Sequence, residues 1–242
     1  MKNFDLLSQE FEDLTGDSLN IAQLASAHRY ADLLAEWNQK INLTSINDPD
    51  EVRIKHFLDS LSCHLVLSNR PKTRVIDIGT GGGFPGLPLK LLYPEMNLIL
   101  ADSVAKKTAF LSLVVQELDL DQVAVLTERA ETLGQMPEHR EQYDLALARA
   151  VANLPVLVEY LLPLVKVGGI MLAQKGETAI QELAQAKEAI ALLGGKSLPP
   201  VEVQLPKARD KRYLLVIEKS ALTPSTYPRR VGIPAKRPLK NG

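Results

Sequence analysis

The pattern of apolar and polar positions divides the chain into a helical first part and an alternating second part. In residues 1–70, apolar side chains recur at helical spacing, as at Leu24 and Ala27. Asp48-Pro49 is a typical helix start, and a second helix is predicted from Asp50 to Leu67. We therefore expect this first part to form an N-terminal helical extension that packs on the core.

From Arg74 onward, short apolar runs of strand type alternate with helical patterns. Strands are predicted at 74–78, 97–102, 122–127, 143–148 and 168–174. Helices are predicted at 86–93, 104–118, 129–134, 153–164 and 177–193. Such alternation is typical of a parallel sheet with helices on both faces.

This alternation ends near residue 200. Val201–Leu205 and Arg212–Ile217 are two strand patterns with a short link between them. Parallel neighbours need a crossover of about a dozen residues or more, so these two strands are predicted to be antiparallel. The expected fold class is α/β, with five parallel strands, a C-terminal antiparallel hairpin and a core domain over 71–220.

A glycine-rich segment follows the first predicted strand and includes Gly79, Gly81, Gly83 and Gly86. Glycines let the backbone turn sharply and let a ligand approach the main chain. The helix that follows directs its free N–H groups toward this loop. No Gly-Lys-Ser/Thr follows, so the segment is not a P-loop. It predicts a nucleotide or cofactor cradle, or else a tight turn without a ligand.

Acidic residues near this loop narrow the choice of cofactor. Asp77 precedes the glycines, where its charge suits an ammonium group better than a pyrophosphate. Asp102 lies 16 residues after Gly86, at the end of the second strand, where an acid commonly accepts hydrogen bonds from ribose hydroxyls. NAD and S-adenosylmethionine both carry that ribose. Ala130-Glu131 could meet an adenine, and the antiparallel hairpin is atypical of a dinucleotide-binding sheet, so S-adenosylmethionine is favoured.

The composition of the 242 residues, with 45% apolar and 24% charged, is ordinary for a globular protein. A single cysteine, Cys63, excludes an internal disulfide framework and a cysteine-rich zinc site. No ligand cluster predicts a metal. The acidic N-terminus does not read as a signal peptide, so we expect a cytoplasmic protein.

Positive charge is concentrated at the end of the chain. From Lys207 to Gly242, ten Lys and Arg residues stand against two acids, although the whole chain carries a net charge of −1. This favours a polyanionic partner, the alternative being a solvated tail without one. We expect the Pro-rich residues 221–242 to stay extended and to contact RNA phosphates. The candidate RNA-binding residues are Arg129, Arg212, Arg229, Arg230, Lys236 and Arg237.

The run V-I-D-I-G-T-G-G-G-F-P-G resembles the first motif of class I methyltransferases. In this form it is similar to the bacterial RsmG (GidB) family, which methylates N7 of a guanine in small-subunit (16S) ribosomal RNA. Other similar pieces are His56-Phe57-Leu58-Asp59-Ser60, Arg149-Ala150, Lys175-Gly176 and the basic ending. The resemblance implies S-adenosylmethionine as cofactor and an RNA substrate already assembled with protein. The cofactor-binding residues it implies are Gly79, Phe84, Asp102, Ser103, Val104, Ala130, Glu131 and Arg149.

Transfer to guanine N7 requires no general base, because N7 presents a lone pair and carries no proton. Arg149 ends the fourth strand, where it could donate to guanine O6 or hold a phosphate. Lys175, at the end of the fifth strand, is the second catalytic candidate. The alternative for Arg149 is an ion pair with Asp77, Asp102 or Glu131.

Other functions stay open at this point. A small-molecule methyltransferase would use the same cofactor, but the basic tail argues for RNA. An NAD-binding oxidoreductase and a binding module that has lost catalysis are the alternatives from other classes.

Overall fold

Five parallel strands form the centre of the fold in the computed structural model, which describes residues 4–207 and 210–239. They are β1 (Arg74–Ile78), β2 (Asn97–Asp102), β3 (Val123–Thr127), β4 (Tyr143–Arg149) and β5 (Val165–Lys175). Their order in the sheet is β3-β2-β1-β4-β5. The chain therefore reverses direction across the sheet between β1 and β4, where α/β sheets bind ligands. The predicted parallel α/β sheet is confirmed.

Three antiparallel strands complete one edge of the sheet: β6 (Gly195–Ser197), β7 (Val201–Val203) and β8 (Arg212–Lys219). β8 pairs with β5, while β7 and β6 pair with its first and last parts. The predicted hairpin is thus present. β6 was not predicted, because three residues after a helix end are too few to show an alternating pattern.

Helices cover both faces of the sheet. Those between β1 and β6 are α6 (Gly86–Leu92), α7 (Ala105–Glu117), α8 (Ala130–Leu133), α9 (Leu154–Leu161), α10 (Ala179–Gln185) and α11 (Lys187–Leu192). The single helix predicted over 177–193 is wrong, since it divides at Ala186. There the Ala186 N–H is shared between the carbonyls of Glu182 and Leu183, which tightens the turn. No Gly or Pro marks this break in the sequence.

The segment before β1 contains α1 (Leu6–Thr15), α2 (Ile21–Ile41), α3 (Pro49–Val52), α4 (Asp59–Leu61) and α5 (His64–Leu67). The helix predicted from Asp50 to Leu67 begins as expected, with the Asp48 side chain accepting from the Glu51 N–H at 3.0 Å. Its continuous α-helical form is wrong, because the helix is π-helical over Arg53–Leu58 and a turn at 62–63 separates α4 from α5. π-Helical turns widen the helix and rotate the side chains beyond them.

The N-terminal helices share a hydrophobic core with one face of the sheet. Phe11, Tyr30 and Phe57 are fully buried in the same cluster as Val75 and Leu98. The opposite face is covered by α9 and its neighbours, through a second cluster. The N-terminal segment therefore seals one face of the sheet and reaches the ends of its strands.

The tail docks on the body of the protein over residues 221–239, so the prediction of an extended tail is wrong there; Lys240 lies outside the described residues. Arg140 donates to the carbonyls of Thr223 at 2.8 Å and Tyr227 at 2.7 Å, and Gln135 donates to that of Pro228 at 2.7 Å. A short helix, α12 (Ile233–Lys236), follows. Proline removes backbone donors but leaves carbonyl acceptors, which the side chains of the body use here.

No helix within 4–207 and 210–239 has the length and apolar character needed to cross a membrane.

Candidate functional site

The carboxyl ends of the parallel strands bring the predicted site residues into one row. In the order of the sheet, Glu131 follows β3, Asp102 ends β2, Gly79 follows β1, Arg149 ends β4 and Lys175 ends β5. Strand order thus assembles, along one edge, residues that are far apart in the sequence.

The glycine loop is built around Asp77. This fully buried carboxylate accepts from the Thr80 hydroxyl at 2.6 Å and from the Gly86 N–H at 2.9 Å, both through Oδ2. Burial raises its pKa to about 7, although the two hydrogen bonds and the charge of Arg149 oppose that rise. Oδ1 has no partner among the described residues. Asp77 therefore shapes the loop and keeps one acceptor available for a donor.

The glycines differ in what surrounds them. Gly79, Gly81 and Gly83 have φ angles of 64°, 62° and 99°, which disfavour a side chain. A Cβ on Gly83 would lie 2.4 Å from the Tyr30 hydroxyl, so that glycine permits close packing. A Cβ on Gly81 would meet nothing closer than the Gly79 carbonyl oxygen, at 4.0 Å. Gly81 therefore borders open space, as a cofactor cradle requires.

Asp102 connects the second strand to this loop. Its carboxylate accepts from the Gly81 N–H at 3.0 Å and from the Val104 N–H at 2.9 Å. Each oxygen can accept a further hydrogen bond, which suits the two hydroxyls of a ribose. The exposed Ser103 lies at the same rim. With the open loop and the spare oxygen of Asp77, these residues fit S-adenosylmethionine.

Ala130 and Glu131, after β3, are both buried. The Glu131 carboxylate accepts from the Gly232 N–H at 2.8 Å, so the docked tail is fastened at the predicted adenine side. Arg129, just before them, is exposed. The sequence did not indicate the contact between Glu131 and the tail.

Phe84 packs within the protein. Its ring is 5% exposed and stacks on His56 at 4.7 Å and on Tyr30 at 5.2 Å between centroids. The Arg149 guanidinium lies 5.1 Å from the centre of the same ring. The side chain of Phe84 therefore supports Arg149 and the loop, and a cofactor would meet its backbone.

Arg149 is held by the N-terminal segment. Its Nη1 donates to Asp59 Oδ2 and to the Lys55 carbonyl, both at 2.9 Å, and its Nη2 lies 3.2 Å from His56 Nδ1. The predicted alternative, an ion pair of Arg149 with Asp77, Asp102 or Glu131, is therefore wrong, because the acid that pairs with Arg149 is Asp59. Sequence reasoning missed it because the contact joins residues far apart across the π-helical turn. The available signal was a His and an Asp, three residues apart, in an apolar helical run.

His56 is engaged on both ring nitrogens. Nδ1 accepts from Arg149, so Nε2 carries the proton and donates to the Thr44 hydroxyl at 2.8 Å. Burial, together with the charge of Arg149, lowers the pKa of His56 to about 4. His56 is therefore neutral near pH 7 and orients Arg149 instead of serving as a free base.

A cavity of about 140 Å³ lies beside Arg149, between the ends of β4 and β5 and the start of β8. Its walls include Asp59, Gln174, Lys175 and Arg212. Three predicted residues, Arg149, Lys175 and Arg212, thus meet at one cavity, together with one acid and one amide that were not predicted as site residues, Asp59 and Gln174. The ammonium of Lys175 forms an ion pair with Glu182 at 2.7 Å and donates to the Ala152 carbonyl at 2.5 Å. These contacts connect the end of β5 to α10.

Arg229, which was predicted to bind RNA, is bound to an acid of the protein itself, and its contact with RNA stays a prediction. Its Nε and Nη2 donate to the two oxygens of the fully buried Glu159, at 2.8 and 2.6 Å, and Nη2 also donates to the Arg237 carbonyl at 2.8 Å. Arg229 therefore anchors the tail. The side chains of Arg230, Lys236 and Arg237 are exposed.

Comparison with known proteins also indicates a methyltransferase. Residues 23–210 match the family model described as rRNA small subunit methyltransferase G. The chain is 51% identical over 224 residues to ribosomal RNA small subunit methyltransferase G of Roseiflexus castenholzii, covering 93% of this chain and 95% of that one. It is also 51% identical over 211 residues to the protein of the same name from Alkaliphilus metalliredigens, covering 87% and 88%.

Solved structures share the fold at low sequence identity. TrmN from Thermus thermophilus is 20% identical with a TM-score of 0.51, covering 67% of this chain and 48% of that one. A SAM-dependent O-methyltransferase from Thermotoga maritima is 12% identical with a TM-score of 0.52, covering 79% and 72%. These matches support the methyltransferase-like sheet.

Proposed function

This chain belongs to the rRNA small subunit methyltransferase G family, and on that basis we propose that it transfers a methyl group from S-adenosylmethionine to N7 of a guanine in 16S ribosomal RNA. The observation that supports this most directly is the position of Arg149. On one side its guanidinium packs against the ring of Phe84, which belongs to the glycine loop. On the other side Arg149 borders the cavity at the ends of β4 and β5. Cofactor and base would therefore meet on its two sides.

The proposed cofactor site consists of the glycine loop from Gly79, the spare Oδ1 of Asp77, and Asp102. Asp102 would accept from the ribose hydroxyls, while Ala130 and Glu131 would flank the adenine. S-adenosylmethionine supplies an activated methyl group, whose carbon–sulfur bond breaks as the bond to N7 forms. The protein's contribution is to hold the two reactants in line at contact distance.

No proton leaves guanine N7 in this reaction, and among the residues that the structure describes no free base lies beside Arg149. His56 is neutral with both nitrogens engaged, and the Asp59 carboxylate accepts from Arg149. Arg149 is thereby fixed as a donor, and its proposed role is to position the base through O6 or a neighbouring phosphate. Contact with N7 itself would block the attack.

The substrate is RNA, and we propose that it is presented within the small ribosomal subunit or its precursor. The exposed cations Arg129, Arg230, Lys236 and Arg237 would then contact phosphates, giving affinity and salt dependence. The proposal places the enzyme in the cytoplasm, with its substrate.

The deciding experiment incubates small ribosomal subunits and their free RNA with methyl-labelled S-adenosylmethionine and then digests the RNA to nucleosides. Label in 7-methylguanosine is expected. An Asp102→Ala variant, which removes the ribose acceptor, serves as the inactive control. Label confined to another nucleoside, or to small molecules, would refute the proposal.

A further inference from the structure

Two buried polar atoms without hydrogen-bond partners belong to residues that line the same cavity. They are Oε1 of Gln174 and Nε of Arg212, and the cavity is the one beside Arg149. Among the described residues, the only other such side-chain atom is Oδ1 of Asp77, in the cofactor loop. Leaving a buried polar group unpaired costs about 1–3 kcal/mol, so such groups call for a ligand.

The orientation of the Gln174 amide is fixed by its other end. The side chain is 6% exposed, and its Nε2 donates to the Asp59 carbonyl at 2.6 Å. Turning the amide over would set two carbonyl oxygens against each other. The unpaired atom of Gln174 is therefore an acceptor, while that of Arg212 is a donor.

These groups select the chemistry of the occupant. A phosphate offers acceptors, which would oppose Gln174 Oε1 and the Asp59 carboxylate in the same walls. The Watson–Crick edge of guanine instead offers two adjacent donors, N1–H and the N2 amino group, beside the acceptor O6. Adenine has one donor and one acceptor at that edge. The acceptors Gln174 Oε1 and the Asp59 carboxylate, with the unpaired donor Arg212 Nε, therefore match guanine.

The size of the cavity limits how far a base can enter. Its volume is about 140 Å³, close to the roughly 150 Å³ of an engineered cavity that binds benzene. A six-membered ring fills such a space. The five-membered ring of a purine, which carries N7, then remains at the mouth and accessible to a methyl donor.

We propose that this cavity takes the Watson–Crick edge of the target guanine. In it Gln174 Oε1 accepts from the N2 amino group, Asp59 accepts from N1–H and Arg212 Nε donates to O6, whose second lone pair stays available to Arg149. The inference rests on the proposed function and makes Gln174 and Arg212 the residues that distinguish guanine from other bases.

The test compares 16S RNA carrying guanosine or inosine at the methylated position, because inosine lacks the N2 amino group. With the full chain and S-adenosylmethionine, wild type is expected to prefer guanosine by about tenfold in kcat/KM, the effect of one unpaired hydrogen-bonding group. Gln174→Met is expected to lose that preference. Gln116→Met, at an exposed position on α7, is the matched control and retains it.

A wild-type preference for guanosine that survives in Gln174→Met would overturn the inference. If Gln174→Met does not fold, Arg212→Met takes its place, because Arg212 begins β8 and is only half-buried. It is expected to lower kcat/KM for both RNAs about tenfold without changing the affinity for S-adenosylhomocysteine; an unchanged kcat/KM would contradict us. Absence of 7-methyl label from wild type, with S-adenosylhomocysteine still bound, would instead refute the proposed function, and this inference with it.

Discussion

Arg149 and Arg229 have the same chemistry and different surroundings. Both were predicted from the sequence to contact RNA or its base, and both form ion pairs with buried acids, Asp59 and Glu159. The ion pair between Arg149 and Asp59 borders a cavity at the strand ends. Arg229 instead donates to both oxygens of Glu159 and to the Arg237 carbonyl in the tail. The space beside the side chain, more than its charge, therefore distinguishes the arginine that we propose to position the base from the one that anchors the tail.

Replacing Arg149 tests the functional side of this comparison and carries the largest expected effect. We expect Arg149→Met to lower methyl transfer by about a hundredfold or more, because the base loses its positioning group. Circular dichroism and S-adenosylhomocysteine binding check that the sheet persists, and Arg29→Met, on the surface of α2, is the control. An unaltered transfer rate would show that Arg149 is only structural.

Replacing Arg229 tests the anchoring side. Arg229→Met leaves Glu159 buried without its charge partner, so we expect the free energy of unfolding to fall by about 3 kcal/mol. Adding Glu159→Gln should recover part of the loss, because the buried charge disappears. Urea denaturation measures the free energy of unfolding of the single and the double variant. Transfer per folded molecule should change far less than in Arg149→Met, and an equal loss of transfer would erase the distinction between the two arginines.

The Arg149 region should also respond to pH through His56. The unfolded chain protonates this ring near pH 6.5 and the folded protein only near pH 4, so the unfolded state binds more protons between these values. Stability from this group is complete above pH 6.5 and falls as the pH drops toward 4, by up to about 3 kcal/mol. His56→Gln should flatten this part of the unfolding profile. A profile identical to that of wild type would disprove the assignment.

The smallest expected effect concerns the exposed cations of the tail. Changing Arg230, Lys236 and Arg237 together to Gln should reduce the slope of log affinity for RNA against log salt concentration by about two. Arg229→Met, measured under conditions in which the variant stays folded, should leave the slope unchanged. Filter binding across a salt series measures it. Equal slopes in wild type and the triple variant would remove these residues from the RNA interface.

The sequence predicted the central sheet because its signals are local. The alternation of strands and helices, the glycine segment after β1 and the acid that ends β2 each lie within a few residues. Parallel order then places Asp102 and Gly81 in contact at 3.0 Å, as a ligand-binding sheet edge requires. The interruptions at the π-helical turn and at Ala186 carried no Gly or Pro and were not foreseen.

Short-range periodicity and loop chemistry are thus enough to specify the α/β sheet, the cofactor cradle and the family to which they belong. Which cations are paired with acids, and which are exposed, depends instead on contacts between distant parts of the folded chain. Asp59 accepts from Arg149, Glu159 accepts from Arg229 and Glu131 accepts from the Gly232 N–H, and the two residues of each pair are far apart in the sequence. Such pairings depend on how helices and tail pack against the strand ends, and no local pattern records that packing.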